Sequence, residues 1–380
     1  MRILRTALLL LALLCGCRPL ANTLTIAIAL LPSELPAYRN MLGEFERATG
    51  QRIVLVPQQY ADIRRALAAE AFAHRGTLDL VELDVYTLAA AAPDIMVLDD
   101  EQLSREAEAL QPQALEVGRI DGWRFLPHRL QWPALIYNHS TLGKPPADWQ
   151  ELLAVARTYP GQIGIKGALY EGLTCEILPF VWAAGGSGEV LDDAGALAAF
   201  HLFAELAPYL NRHSATFKEP TVAEAMARGE IVLQFNWPAI MSLYADQGLA
   251  PQIIRSAPLP RGPRGGATVL GGGYIGIPRS APHRSDALRL ARYLISQPVQ
   301  ERLRRELGWF SARNDITIGE TDTLLAGFIA SRDEVRPRPQ RTDYQRLSRL
   351  WQQAFRAVVF EHADPAATLH AAQRELTSGN

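Results

Sequence analysis

The sequence predicts an α/β protein built as two domains or as one large bilobal unit. Three observations lead there. Strand-like and helix-like segments alternate from residue 23 onward. The chain is 380 residues long, more than a single hydrophobic core usually serves. Its composition, 48% hydrophobic and 21% charged with no low-complexity tract, is that of a globular protein. Regular strand–helix alternation puts strands parallel in one sheet with helices packed over it.

The extreme N-terminus stands apart from this pattern. Arg2 and Arg5 precede a continuous apolar run from Ala7 to Leu14. A spanning helix needs roughly 20 apolar residues, so this run is too short to cross a bilayer. A positive flank, a short apolar stretch and then small residues predict a secretory signal. Leu14-Cys15-Gly16-Cys17 resembles a bacterial lipobox, in which a small residue precedes the modified cysteine. Gly16 meets that need for Cys17, whereas bulky Leu14 precedes Cys15. Residues 1–16 are therefore expected to be a lipoprotein signal peptide and 17–22 a lipidated tether. Cys175 would then be the one cysteine left free, so no internal disulfide is expected and Cys175 reads as a small buried apolar residue.

The elements follow in order. Thr23–Leu31 reads as a strand. Met41, Leu42, Phe45 and Ala48 recur at helical spacing, and Gly50 stops that helix. Arg52–Val56 predicts a second strand, Ile63–Ala73 a second helix, and Leu78–Leu83 a third strand. Leu135–Asn138 reads as a strand, and Trp149–Thr158 as a helix after Pro145-Pro146. Ser285 is expected to cap a helix over Asp286–Ile295, and Pro298 to open another. Ser280–Pro282 and Arg336–Pro339 read as loops. Leu347, Leu350, Trp351, Ala354, Phe355 and Val358 form a helical core stripe.

Several function classes are excluded. A formal net charge of −2 is no footprint for nucleic acid. The HExxH, GxSxG and Walker A patterns are absent, and the eight histidines lack zinc-ligand spacing. Gly271-Gly272-Gly273-Tyr274-Ile275-Gly276 does match GxGxxG. A dinucleotide site needs a helix opening within that motif, yet the residues here read as a strand followed by Pro278. Asp99-Asp100 and Asp192-Asp193 read as turn or cap residues rather than as an acid/base pair. No cofactor or metal is expected.

Segments spread across the chain resemble family 1 of the bacterial extracellular solute-binding proteins. Phe45–Val54 is similar to that family's FExxTGxxV opening, and Leu78–Val85 to its strand ending in a ligand-contacting aspartate. Trp123–Asn138, with Pro127 and Leu135-Ile136-Tyr137-Asn138, resembles its crossover segment. Tyr170–Cys175, Phe235-Asn236-Trp237-Pro238 and Arg338-Pro339 with Tyr344 and Ser348 are similar to segments of its trehalose/maltose branch. These matches run in family order.

The resemblance implies a two-lobed periplasmic-binding-protein fold of type II, similar to maltose-binding protein, with ligand in the cleft between lobes joined by crossing strands. Lobe I would comprise 23–130 plus 272–314, and lobe II 131–271 plus 315–380. It implies a non-enzymatic substrate-binding component of an ABC importer that captures a small, disaccharide-like sugar. Its partners would be permease subunits and, through the lipid at Cys17, the cell-envelope membrane. The protein is expected to act as a monomer facing the periplasm or exterior. Sugar hydroxyls suit carboxylates and arginines, and sugar C–H faces suit flat aromatics. The implied ligand residues are Glu34, Asp84, Gln131, Glu171, Trp237, Gly272, Gly273 and Arg338. Glu34 also suits a cap for the helix after it. Gln131 stands where the family often has an acidic residue, and Gly273 where many members have a tryptophan after a glycine pair. Two other readings stay open: a lipid-anchored carbohydrate-active enzyme, and a sugar sensor that signals to a membrane receptor.

Overall fold

The computed structural model describes residues 22–99, 107–316 and 323–378; the signal, Cys17 and the first residues of the tether lie outside them, as does Asp100. One sheet has five strands in the order β2-β1-β3-β9-β4. β1 (Thr23–Ile28), β2 (Arg52–Pro57) and β3 (Leu80–Asp84) are mutually parallel. β9 (Gly271–Gly276) arrives from late in the chain and runs antiparallel between β3 and β4 (Phe125–Gln131). The strand ends that carry Ala29, Asp84 and Gln131 therefore share one edge.

The helices over this sheet form for legible reasons. Leu35–Thr49 buries Tyr38, Met41, Leu42 and Phe45 at helical spacing. Gly50 ends it in the left-handed region at φ 75°, where a Cβ is disfavoured, and donates its N–H to Glu46 O. Each such apolar side chain withdrawn from water contributes about 1.5–3 kcal/mol. Tyr60–Ala73 begins three residues before the predicted Ile63, and its first residue turns its hydroxyl to the sheet, donating to Glu82 and accepting from Arg129.

A second sheet places β5 (Ala134–Asn138) between β6 (Leu233–Asn236) and β7 (Ile254–Ala257), all antiparallel. Strand alternation divides its contacts: Ala134 and Ile136 join the apolar cluster that continues from the first sheet, while Leu135 and Tyr137 join a separate one. That separate core is mostly helical, from Glu171–Ala183, Ala194–Leu206, Tyr344–Phe360 and Pro365–Thr377. Glu171–Ala183 is buried at every position after Glu171, so it shows no amphipathic stripe. Trp351 is 1% exposed, within the expected core stripe. Asp193 caps Ala194–Leu206 by accepting from Ala196 N at 2.8 Å, the cap role read for that acid pair.

Two strand-to-strand passages link the sheets. β4 leads into β5 through Trp132-Pro133, and β8 (Thr268–Val269), which lies in a separate two-stranded sheet, leads into β9. Trp132 donates to Phe328 O at 2.6 Å and packs its ring 4.6 Å from Phe310. Thr268 Oγ1 donates to Pro133 O at 2.7 Å, tying the passages together.

Two local expectations are corrected. The helix Arg284–Ile295 starts before Ser285, which lies inside it; His283 precedes the first turn and donates its N–H to the buried Asp79 carboxylate at 3.0 Å. A tertiary acceptor thus sets the start in place of a local cap. Arg336 is not in a loop: it belongs to β10 (Val335–Arg336), which pairs with β8. Gly271–Gly276 is a strand, as read.

Candidate functional site

Asp84 ends β3, and Glu171 opens the helix Glu171–Ala183 that packs behind the second sheet. Arg338 follows β10 and is 2% exposed. Its guanidinium joins the two acids: Nη2 donates to Asp84 Oδ1, and Nη1 donates to Glu171 Oε1 at 2.9 Å. The plane sits 4.8 Å from the Tyr86 ring. Glu171 receives two further donors, Tyr344 Oη at 2.5 Å and Ser348 Oγ at 2.7 Å. Tyr344 and Ser348 lie one turn apart on the same helix, so both hydroxyls reach one carboxylate. Burial, with the charge of Glu171 adding and Arg338 opposing, raises the Asp84 carboxyl above its ordinary range. Cys175 lies 3.8 Å from Arg338 Nη1; burial pushes its thiol up to about 12, so it stays protonated.

A second polar group occupies the five-stranded sheet. Glu82 is fully buried and receives His128 Nδ1 at 2.8 Å, Arg129 Nη2 at 3.0 Å and Tyr60 Oη at 3.2 Å. Burial alone would raise its carboxyl; Arg129 and His128 more than offset that, and the net direction is down. Glu34 precedes the helix Leu35–Thr49 but makes no cap bond to it. Its carboxylate accepts from Leu31 N and from Trp309 Nε1, both at 2.7 Å.

The remaining expected residues lie near the passages between sheets. Gln131 ends β4 opposite Gly271. Trp237 follows β6 and is half-buried; a Cβ on Gly271 would come 2.6 Å from its ring. Gly272 has φ 133° and backs onto Arg129 O, while a Cβ at Gly273 would lie 2.1 Å from Glu82 Oε1. Packing against neighbours therefore requires glycine at both positions. Asp84, Glu171 and Arg338 are brought into direct contact, and Trp237 and Gln131 flank Gly271. Glu82, His128, Arg129, Tyr60 and Trp309 escaped the sequence reading. The signal available for Glu82, His128 and Arg129 was polar residues inside the strands Leu80–Asp84 and Phe125–Gln131; Tyr60 and Trp309 lie outside both strands. Among the described residues, no three His, Cys, Asp or Glu side chains gather as a metal-holding group.

The family profile described as "Bacterial extracellular solute-binding protein" matches residues 40–317. The chain belongs to this family. A "Probable ABC transporter-binding protein" of Deinococcus radiodurans is 26% identical over 316 residues, covering 74% of each chain. Among solved structures, maltose-bound MalE3 of T. maritima superposes with a TM-score of 0.80 at 23% identity, covering 95% of this chain and 100% of that one. A solute-binding protein of Thermotoga lettingae bound with α-D-tagatose gives 0.82 at 21% identity, covering 94% and 99%. The fold is thus the two-lobed periplasmic-binding-protein fold of type II. Family and fold are those of solute-binding proteins, not of catalytic enzymes.

Proposed function

We propose that this protein is the substrate-binding component of an ABC importer and that its solute is a small saccharide of disaccharide size. The observation that carries the reading is Arg338, which links Asp84 on the first sheet's edge to Glu171 on the second lobe. Charged donors and acceptors from both lobes meet there, and a polyhydroxy solute pairs with both kinds. Trp237 offers a half-buried aromatic face at the crossover. Relatives support the same reading, since one carries an ABC-transporter description and two superposable proteins hold maltose and tagatose. The lobes divide as 23–130 plus 272–314 and 131–271 plus 315–380, and Glu34, Asp84, Gln131, Glu171, Trp237, Gly272, Gly273 and Arg338 line the cleft between them. Solute contacting both lobes favours the closed arrangement, because only differential affinity shifts such a balance.

A thermal-shift screen with maltose, trehalose, D-tagatose and their uronate counterparts tests the class. A ligand that binds only the native state raises the melting temperature. At least one neutral sugar should shift it by several degrees, whereas flat curves with all of them reject the saccharide reading. Cys17 carries the lipid in this proposal. Cys17→Ser should abolish labelling by a fatty-acid probe and release the protein from membranes; labelling at the normal level rejects the anchor.

A further inference from the structure

One residue outside the expected set has the position and the unspent donors of a ligand contact; the inference rests on the saccharide reading and deepens it on the first lobe. Asp84, Gly273 and Arg129 are neighbours across β3, β9 and β4: Gly273 is opposed to Asp84 on one side and to Arg129 on the other. Opposed residues on adjacent strands project to the same face. The missing side chain at Gly273 therefore separates Asp84 from Arg129 on that face. Glu82, two residues before Asp84, stands where a side chain on Gly273 would begin.

Arg129 is 8% exposed, and its donors are used unevenly. Nη2 reaches Ala29 O at 2.5 Å, Tyr60 Oη at 2.7 Å and Glu82 Oε2 at 3.0 Å. Nε is buried without a partner. Nη1 faces Glu34 Oε2 at 4.0 Å, too far for a hydrogen bond. The guanidinium sits 4.2 Å from the Trp309 ring, and Trp309 Nε1 holds Glu34 Oε1 at 2.7 Å. Arginine and glutamate are thus fixed by a common tryptophan, with a gap between them.

We propose that Arg129, seated on Trp309, is a specificity-determining residue of the cleft, and that one hydroxyl of an uncharged polyol sits between its Nη1 and Glu34 Oε2. A hydroxyl accepts from one side and donates to the other. Two hydrogen bonds of about 2.8 Å meeting near the tetrahedral angle span roughly 4.5 Å, so the 4.0 Å gap widens by about half an ångström to admit the hydroxyl. Two carboxylates, Glu82 and Glu34, already face the single charge of Arg129, so a carboxylate or phosphate on the solute would meet Glu34 as a like charge. The solute class is therefore a neutral polyhydroxy compound.

The test is calorimetric titration of the purified protein with maltose, trehalose and D-tagatose, and with the monodeoxy derivatives of each sugar that binds. In the wild-type protein one derivative should bind at least tenfold more weakly than its parent. Arg129→Lys keeps the charge beside Glu82 but loses the planar fork. Glu34→Gln removes the opposing acceptor charge at a side chain that reaches solvent. Each variant should weaken the parent sugar about tenfold and bind that derivative and its parent alike. Equal weakening of parent and derivatives, or none, overturns the proposal and assigns Arg129 a structural role. Should Arg129→Lys fail to fold, Glu34→Gln and Trp309→Phe, which leaves every charge in place, carry the same comparison. No heat with any of the three sugars overturns the saccharide reading and this inference with it; binding with discrimination intact in the variants overturns this inference alone.

Discussion

Three donors reach the fully buried carboxylate of Glu82: His128 Nδ1, Arg129 Nη2 and Tyr60 Oη. They hold it ionised against burial, and its folded pKa lies below the ordinary value. The sign of the pH effect follows. Glu82 contributes stability above the unfolded glutamate value, about 4.3, and loses it as pH falls through the lower folded value. Glu82→Gln should cost roughly 3–5 kcal/mol at pH 7, because Arg129 is left buried with only Glu34 near it. In urea titrations the gap between wild type and variant should narrow as pH drops below about 4. A gap that stays constant with pH would mean that Glu82 is not an anion in the folded state. This residue also marks the limit of sequence reasoning. Asp84, Glu171 and Arg338 could be singled out because each sits at an element's end or in a loop, where charge is unusual only by its motif. Glu82 sits within Leu80–Asp84, where alternation would turn it toward solvent. At Glu82 itself that face is covered, and the partners that make the charge tolerable, Arg129 and His128, come from β4, which no local pattern places nearby.

β9 is the element on which the first sheet depends, and its glycines are set by neighbours rather than by turns. Its strand character was legible from Tyr274, Ile275 and the proline that follows. Its place between β3 and β4 was not, because strand pairing across such a separation leaves no periodic trace. The helices were more legible. Gly50 and Asp193 act through residues close in sequence, as caps and stops do, whereas the start of Arg284–Ile295 is set by distant Asp79. At Gly273 the neighbour is Glu82 Oε1, held by His128, so it cannot swing aside for a methyl group. Gly273→Ala should therefore destabilise the protein by about 1–3 kcal/mol, the usual range for overpacking. Chemical denaturation measures it. An unchanged midpoint would show that the Glu82 cluster rearranges without cost.

On the scale of the whole molecule, two sheets are connected by strands that cross between them, and charged groups from each side meet through Arg338. Type II binding proteins close by hinge motion, and the proposed function requires that here. Small-angle scattering should show a smaller radius of gyration at saturating sugar, reversed on dilution. A curve unchanged by a sugar that calorimetry shows to bind would reject closure. Arg338→Met would leave Asp84 and Glu171 as like charges in a partly buried site, and it should abolish the compaction as well as the affinity. Chain length pointed to two domains or one bilobal unit and alternation to an α/β lobe with a largely parallel sheet; the type II arrangement with crossing strands was readable only through the family resemblance. The order of strands in that sheet also governs how the chain acquires its shape. β9 separates β3 from β4, so the first sheet stays split until residue 276 has been made, and Arg338 comes later still. The N-terminal half cannot finish folding while it waits for the strand that joins β3 to β4. Pairings between distant segments form slowly. A nascent chain of this topology therefore remains open along most of its length, the condition in which a polypeptide can be threaded through a narrow export channel before it folds.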